Sequence, residues 1–242
     1  MQFDSVLGGC GYIHDSRRLP SGRQKSYGSE PGQRLILSDQ ILPPNQVWGK
    51  RFVIYAALGV PRVETESWRL KVNGLVSRPL EYTFQQLISM PQDRHVRSFH
   101  CVTKWSIKDV EWEGLPIRTL VGPAGVSPNA NWMMFHCVDG YSAPVPLEDA
   151  LRDDSILAFK LNGKPLSAEQ GFPARPFIPG LYAWKSAKWV NRMELIADYR
   201  DGYWEAFSYH ERGDVWEEER FKGHSGTPVR RKAVGTAPTT SS

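Results

Sequence analysis

The chain has 242 residues, 40% of them hydrophobic and 12% aromatic, with a formal net charge of +4. That length is enough to bury a sizeable core, and no uncharged apolar run is long enough for a membrane-spanning helix. Lys and Arg are scattered among Asp and Glu, which gives no stripe suited to nucleic acid. The three cysteines, Cys10, Cys101 and Cys137, are odd in number and far apart, which argues against a disulfide framework and against a Cys-x-x-Cys site.

Residues 1–45 are rich in Gly, Ser, Pro and Arg and read as an extended arm, with a single domain over 46–222 and a disordered polar tail over 223–242. The opening stretch MQFDSVLGGCGYIHDSRR lacks the basic start, apolar run and cleavage site of a secretion signal, so a soluble, cytoplasmic protein is expected. Phe52 to Leu58 is strand-like, and Trp68 to Val76 reads as two short strands about an Asn73-Gly74 hairpin. Thr83 and Gln86 form a capping box for a helix that Pro91 stops. Strands follow at Val96 to Val102, Trp132 to Val138, Ile156 to Leu161 and Lys188 to Ile196, with short helices near Pro116 to Val121 and Leu147 to Leu151. No βαβ rhythm and no Gly-rich nucleotide loop accompanies them, so the fold class is α+β with mixed, mainly antiparallel sheets. Tyr199 to Phe221 is dense in aromatics and charges.

The segment Phe99-His100-Cys101-Val102-Thr103-Lys104-Trp105-Ser106 reads as a strand ending in a polar turn. Beside Lys104, Cys101 can carry a thiolate suited to soft metals or electrophiles, and the competing reading is a small buried hydrophobe. His100 and His136 are each candidates to face the same site or to satisfy core hydrogen bonds. Cys137 reads as core. A metal-free hydrolase or transferase with Cys101 as nucleophile, and a noncatalytic binding module displaying some of the nine tryptophans, are the alternative functions.

The Cys101 segment, with Val110-Glu111-Trp112-Glu113-Gly114-Leu115-Pro116 after it, resembles the cysteine motif of the sulfite oxidase family of molybdopterin enzymes. Asp139-Gly140-Tyr141-Ser142-Ala143-Pro144-Val145-Pro146-Leu147 resembles the family's tyrosine-bearing loop. Asn162-Gly163-Lys164-Pro165-Leu166 and Gly171-Phe172-Pro173-Ala174-Arg175 resemble its cofactor-binding stretch. Pro179 to Val190 resembles the segment around the pterin phosphate, and the four motifs stand in the family's order.

The resemblance implies a molybdenum–molybdopterin oxidoreductase that transfers an oxygen atom to or from a small sulfur-containing substrate and exchanges electrons with an external cytochrome or other redox protein. It implies Cys101 as metal ligand, Tyr141 as active-site tyrosine, and Tyr55, Ala56, Ala57, His136, Gln170, Arg175, Ser186, Ala187 and Lys188 as cofactor contacts. Tyr55 stands where the family's sulfite-recognising arginine belongs, so sulfite loses its countercharge. Lys104, with Arg97, is the candidate replacement. Neither a separate haem-binding domain nor the immunoglobulin-like dimerisation domain of larger relatives is expected beside it.

Overall fold

The computed structural model describes residues 41–223. Most of the expected arm and tail, and Cys10, lie outside the described residues.

Two sheets carry the architecture. After the short β1 (Val47–Trp48), β2 (Arg69–Gly74) alternates buried Leu70 and Val72 with exposed Lys71, the period of a strand covered on one face. It pairs antiparallel with β3 (Leu80–Thr83). The helix α1 (Phe84–Ile88) starts at the expected capping box, where Thr83 Oγ1 accepts from the Gln86 amide and the Gln86 side chain accepts from the Thr83 amide.

Next come β4 (Asp93–His100), β5 (Trp105–Pro116), α2 (Ile117–Val121), β6 (Trp132–Cys137), β7 (Ser142–Pro146), α3 (Leu147–Ala150), β8 (Ile156–Leu161), β9 (Lys164–Pro165), β10 (Arg175–Phe177) and β11 (Val190–Ile196). One sheet runs β1-β5-β8-β10, with β4 on β5 and β9 on β8; the other runs β3-β2-β11-β6-β7. All pairings are antiparallel except β1 with β5 and β11 with β2.

Two expectations are corrected. Asn73-Gly74 makes no hairpin: β2 is one strand, and Gly74, at φ +85°, ends it where a Cβ would lie 2.2 Å from Leu195 O. Phe52 to Leu58 is not a strand but an irregular strap, because its apolar side chains, Val53, Ile54, Tyr55 and Leu58, lie exposed with no sheet to cover them. The longest strand, β5, had no counterpart among the expected elements: its alternation of buried Val110 and Trp112 with half-buried Glu111 and Glu113 is short and follows the exposed Lys108-Asp109 pair.

The main core contains Leu70, Val72, Leu115, Phe135, Leu157, Met193 and Leu195, drawn from both sheets. A second cluster holds Phe99, Val110, Trp112 and Phe177, with the Trp112 and Phe177 rings stacked at 4.2 Å.

Gly114 in β5 lies against β8 so closely that a Cβ there would sit 2.0 Å from Leu157 O and 2.7 Å from Ala158 Cα. Backbone cannot yield as a flexible side chain does. Gly114→Ala is therefore expected to destabilise the domain by about 1–3 kcal/mol, the usual cost of overpacking, measured as a lower urea midpoint at unchanged slope.

Candidate active site

A cavity of about 410 Å³ opens between the strap, the end of β4 and the loops before and after β10. Its walls include Phe52, Tyr55, Ala56 and Ala57 from the strap, Cys101 and Thr103 from the turn after β4, Asp139 and Tyr141 from the β6–β7 loop, and Gln170 and Arg175. Ser186, Ala187 and Lys188 precede β11, and Trp204 and Tyr209 come from the C-terminal segment.

Cys101 sits where β4 breaks from β5. Its amide donates to Trp105 O at 2.9 Å and its carbonyl accepts from the Lys104 amide at 3.1 Å, closing a turn in which Lys104 takes φ +72°. The thiol lies 3.2 Å from Thr103 Oγ1 and is partly exposed to the cavity. Cys137 is buried in the core, and burial pushes its thiol well above the usual range, as expected of a packing residue.

Arg175 is the most telling group. It is only 7% exposed and lines the cavity; Nη1 donates to Gln170 O at 3.0 Å and Nη2 to Ser186 O at 2.8 Å, while buried Nε has no partner. The guanidinium lies 5.6 Å from the centroids of both Phe99 and Trp112. Burial lowers its pKa to about 10, and no carboxylate among the described residues pairs with it. Lys188 is similar, donating to Tyr55 O at 2.6 Å and Glu169 O at 3.1 Å. Burial, then the neighbouring Arg175 charge, brings it down to about 8. Two cations facing one cavity, hydrogen-bonded to backbone carbonyls and with no carboxylate at ion-pair distance among the described residues, form a site for an anion.

Tyr141 donates its hydroxyl to Trp184 O at 2.7 Å, and burial raises its pKa well above the ordinary value. Asp139, whose pKa burial also raises, accepts from the Tyr141 amide at 3.0 Å. Trp184 and Lys185 are fixed from behind: Trp184 Nε1 donates to Glu205 Oε1 at 2.9 Å, and Lys185 Nζ, wholly buried, pairs with the same wholly buried oxygen at 2.6 Å.

Of the residues singled out in the sequence, Tyr55, Ala56, Ala57, Cys101, Tyr141, Gln170, Arg175, Ser186, Ala187 and Lys188 meet at this cavity, and His136, Lys104, Arg97 and His100 do not. His136 alternates on β6 with Phe135 and Cys137, so it projects to the other face and bonds Glu194 at 2.8 Å. Lys104 is exposed at the turn and does not line the cavity. Arg97, its suggested helper, pairs with Asp154 at 3.3 Å. His100 is buried against Ser106 Oγ at 2.8 Å, and burial takes its pKa down to about 4. Neither histidine is therefore placed to act as a base for Cys101. Sequence reasoning gave no role to Thr103, Trp204 or Tyr209, although Thr103 stands in the cysteine motif and Trp204 in a Gly202-Tyr203-Trp204-Glu205 run that resembles the tail of the family's short bacterial branch.

The oxidoreductase molybdopterin-binding domain family matches residues 57–204. The chain belongs to that family. It is 38% identical over 181 residues to the uncharacterized oxidoreductase YuiH of Bacillus subtilis, covering 74% of this chain and 91% of that protein. It is 27% identical over 226 residues to the sulfite oxidase of Gallus gallus, covering 81% of this chain and 48% of that one. Among solved structures, the sulfane dehydrogenase SoxCD of Paracoccus pantotrophus superposes with a TM-score of 0.54 at 26% identity, over 62% of this chain and 42% of that one. The chain thus spans about half of the sulfite oxidase and less than half of the matched SoxCD chain.

The protein is accordingly a sulfite-oxidase-family oxidoreductase whose cofactor is Mo–molybdopterin. The site fits that group: the unpartnered Nε of Arg175 and the Lys188 ammonium suit the pterin's phosphate, and Cys101 offers a sulfur to a soft metal. Among the described residues no helix is long and apolar enough to cross a membrane.

Proposed function

We propose that this molybdopterin oxidoreductase catalyses two-electron oxygen-atom transfer on a small, uncharged sulfur compound of the sulfoxide–sulfide type. The observation that carries this reading is the cation count: only Arg175 and Lys188 among the lining residues bear positive charge. If both grip the cofactor's phosphate, neither is left for a dianion such as sulfite. Where the family resemblance leads one to expect an arginine, Tyr55 is 67% exposed, its ring 6.2 Å from Trp204, which in turn lies 5.0 Å from Tyr209. An aromatic wall of this kind suits a neutral, polarisable group.

In this reading Cys101 is the metal's protein ligand. Arg175, Lys188 and the Ala187 amide hold the anionic end; Ser186, whose own amide donates to Ala183 O at 3.1 Å, steadies Arg175 through its carbonyl, and the Gln170 side chain and the Ala56–Ala57 backbone complete the cradle. The bound cofactor supplies the two-electron couple and accepts or donates the oxygen atom. The chain's own residues then handle placement and protons. Tyr141, held by Trp184 O and kept protonated by burial, presents a hydroxyl to the site, with Asp139 beside it as a proton carrier. Reduction of a sulfoxide consumes two electrons and two protons and releases the sulfide and water; the reverse reaction returns them. The electrons are exchanged with a separate redox protein.

Tyr55→Arg tests the substrate class. A restored guanidinium gives a charge-assisted bond worth about 1.5–3 kcal/mol, so kcat/KM for sulfite should rise roughly 10-fold or more while that for a dialkyl sulfoxide falls. Wild-type enzyme turning over sulfite as efficiently as the variant would exclude the uncharged-substrate reading.

A further inference from the structure

The turn that carries Cys101 is gripped by two side chains from outside the family-matched residues 57–204. On one side Gln46, 5% exposed, donates Nε2 to Cys101 O at 3.2 Å. Its Oε1 accepts from Ser106 Oγ at 3.0 Å, and Ser106 Oγ is itself bonded to His100 at 2.8 Å, so the amide is held at both ends. On the other side Arg220, 8% exposed, donates Nη1 to Val102 O. Its guanidinium lies 4.8 Å from the Tyr182 centroid, Nη2 is 3.5 Å from Glu218 Oε1, and buried Nε has no partner.

Burying a guanidinium with an unpartnered nitrogen carries a desolvation cost that an apolar side chain of similar length would not. Stability alone does not account for Arg220. Its contact does, because the carbonyls of Cys101 and Val102 belong to consecutive peptide planes, and fixing both sets the backbone that aims the cysteine side chain. With that backbone fixed, rotation about the Cys101 Cα–Cβ bond is the one freedom left to direct the thiol.

We propose that Gln46 and Arg220 are positioning residues that clamp the Cys101 turn, fixing how its sulfur meets the metal and, through the Arg220 charge, raising the metal's reduction potential. The proposal rests on Cys101 being the metal ligand. Groups one step behind a ligand commonly change metal affinity or activity by roughly 10–100-fold.

The test uses the full chain with Arg220→Met, Arg220→Lys, Gln46→Leu and Cys101→Ser. In cofactor-free protein, alkylation by iodoacetamide is followed at Cys101 and Cys137 by peptide mass spectrometry. Cys101 should react several-fold faster in Arg220→Met and Gln46→Leu and near the wild-type rate in Arg220→Lys, with Cys137 unchanged. In loaded enzyme the molybdenum midpoint potential should fall in Arg220→Met, since a removed cation favours the higher oxidation state. It should recover in Arg220→Lys and move least in Gln46→Leu, which removes no charge. Wild-type alkylation and potential in Arg220→Met overturn the clamp. Should that variant not fold, wild-type alkylation in Gln46→Leu does so. A metal–sulfur coordination number unchanged in Cys101→Ser would instead refute the ligand assignment, leaving the alkylation result to judge the clamp.

Discussion

Cys101→Ser is expected to lower oxygen-atom transfer by at least about 100-fold, beyond the roughly 10–100-fold typical of groups behind a ligand, while the pterin stays bound. The two effects separate because they arise in different parts of the cavity. Arg175, Lys188 and the chain before β11 hold the organic anion, whereas Cys101 reaches the site from the turn after β4. A serine hydroxyl is a harder and far less acidic donor than a thiol, so a soft metal loses the match. X-ray absorption should count one sulfur fewer around molybdenum, and oxidised-pterin fluorescence should match wild type. Unchanged sulfur coordination with unchanged turnover would remove Cys101 from the site.

Arg175→Met is expected to do the reverse, weakening cofactor retention by about 2–5 kcal/mol, the usual effect of deleting one member of a buried charge pair. That corresponds to roughly 30-fold or more in affinity. The same change should leave the cofactor-free protein as stable as wild type or more so. Without an anion the guanidinium is 7% exposed, satisfied only by Gln170 O and Ser186 O, and short of a partner at Nε. An apolar chain of similar length removes that burden. Pterin content per protein and the urea midpoint of cofactor-free protein read the two signs separately. A structural arginine would instead show loss of stability with no change in retention.

The sequence carried the parts of the fold that local chemistry dictates. Thr83 and Gln86 capped their helix because the capping box needs only four consecutive residues. Trp132 to Val138 and Lys188 to Ile196 read as strands because buried runs of that composition have little other use. What failed was non-local. The Asn73-Gly74 pair looked like a hairpin, but Gly74 is required by Leu195, which approaches it from 121 positions further along the chain. In β5 the alternation of Val110 and Trp112 with Glu111 and Glu113 spans too few residues to stand out after the exposed Lys108-Asp109 pair, and the partners that pair with Glu113, Arg94 and Lys160, come from other strands. The site followed the same division. Ten of the singled-out residues came to the cavity because motifs carry their own local geometry, whereas Tyr209 and Gln46 arrive from distant segments without a motif, and Trp204 and Arg220 lie in a tail whose resemblance to the short bacterial branch of the family assigned them no role. His136 was misplaced by proximity in sequence, one residue from Cys137 but on the other side of the strand.

The Lys185–Glu205 pair sets an order of events during synthesis. An ammonium group enters an apolar interior without its countercharge only at a large desolvation cost, and that carboxylate is made 20 residues later. A nascent chain that has emerged only as far as Ala187 already contains Cys101, Tyr141 and Arg175, yet it cannot close the wall formed by Trp184 and its neighbours. A chain truncated shortly before Glu205 is accordingly expected to keep Cys101, Tyr141 and Arg175 yet retain no pterin, read as oxidised-pterin fluorescence of the purified truncated protein beside the full chain.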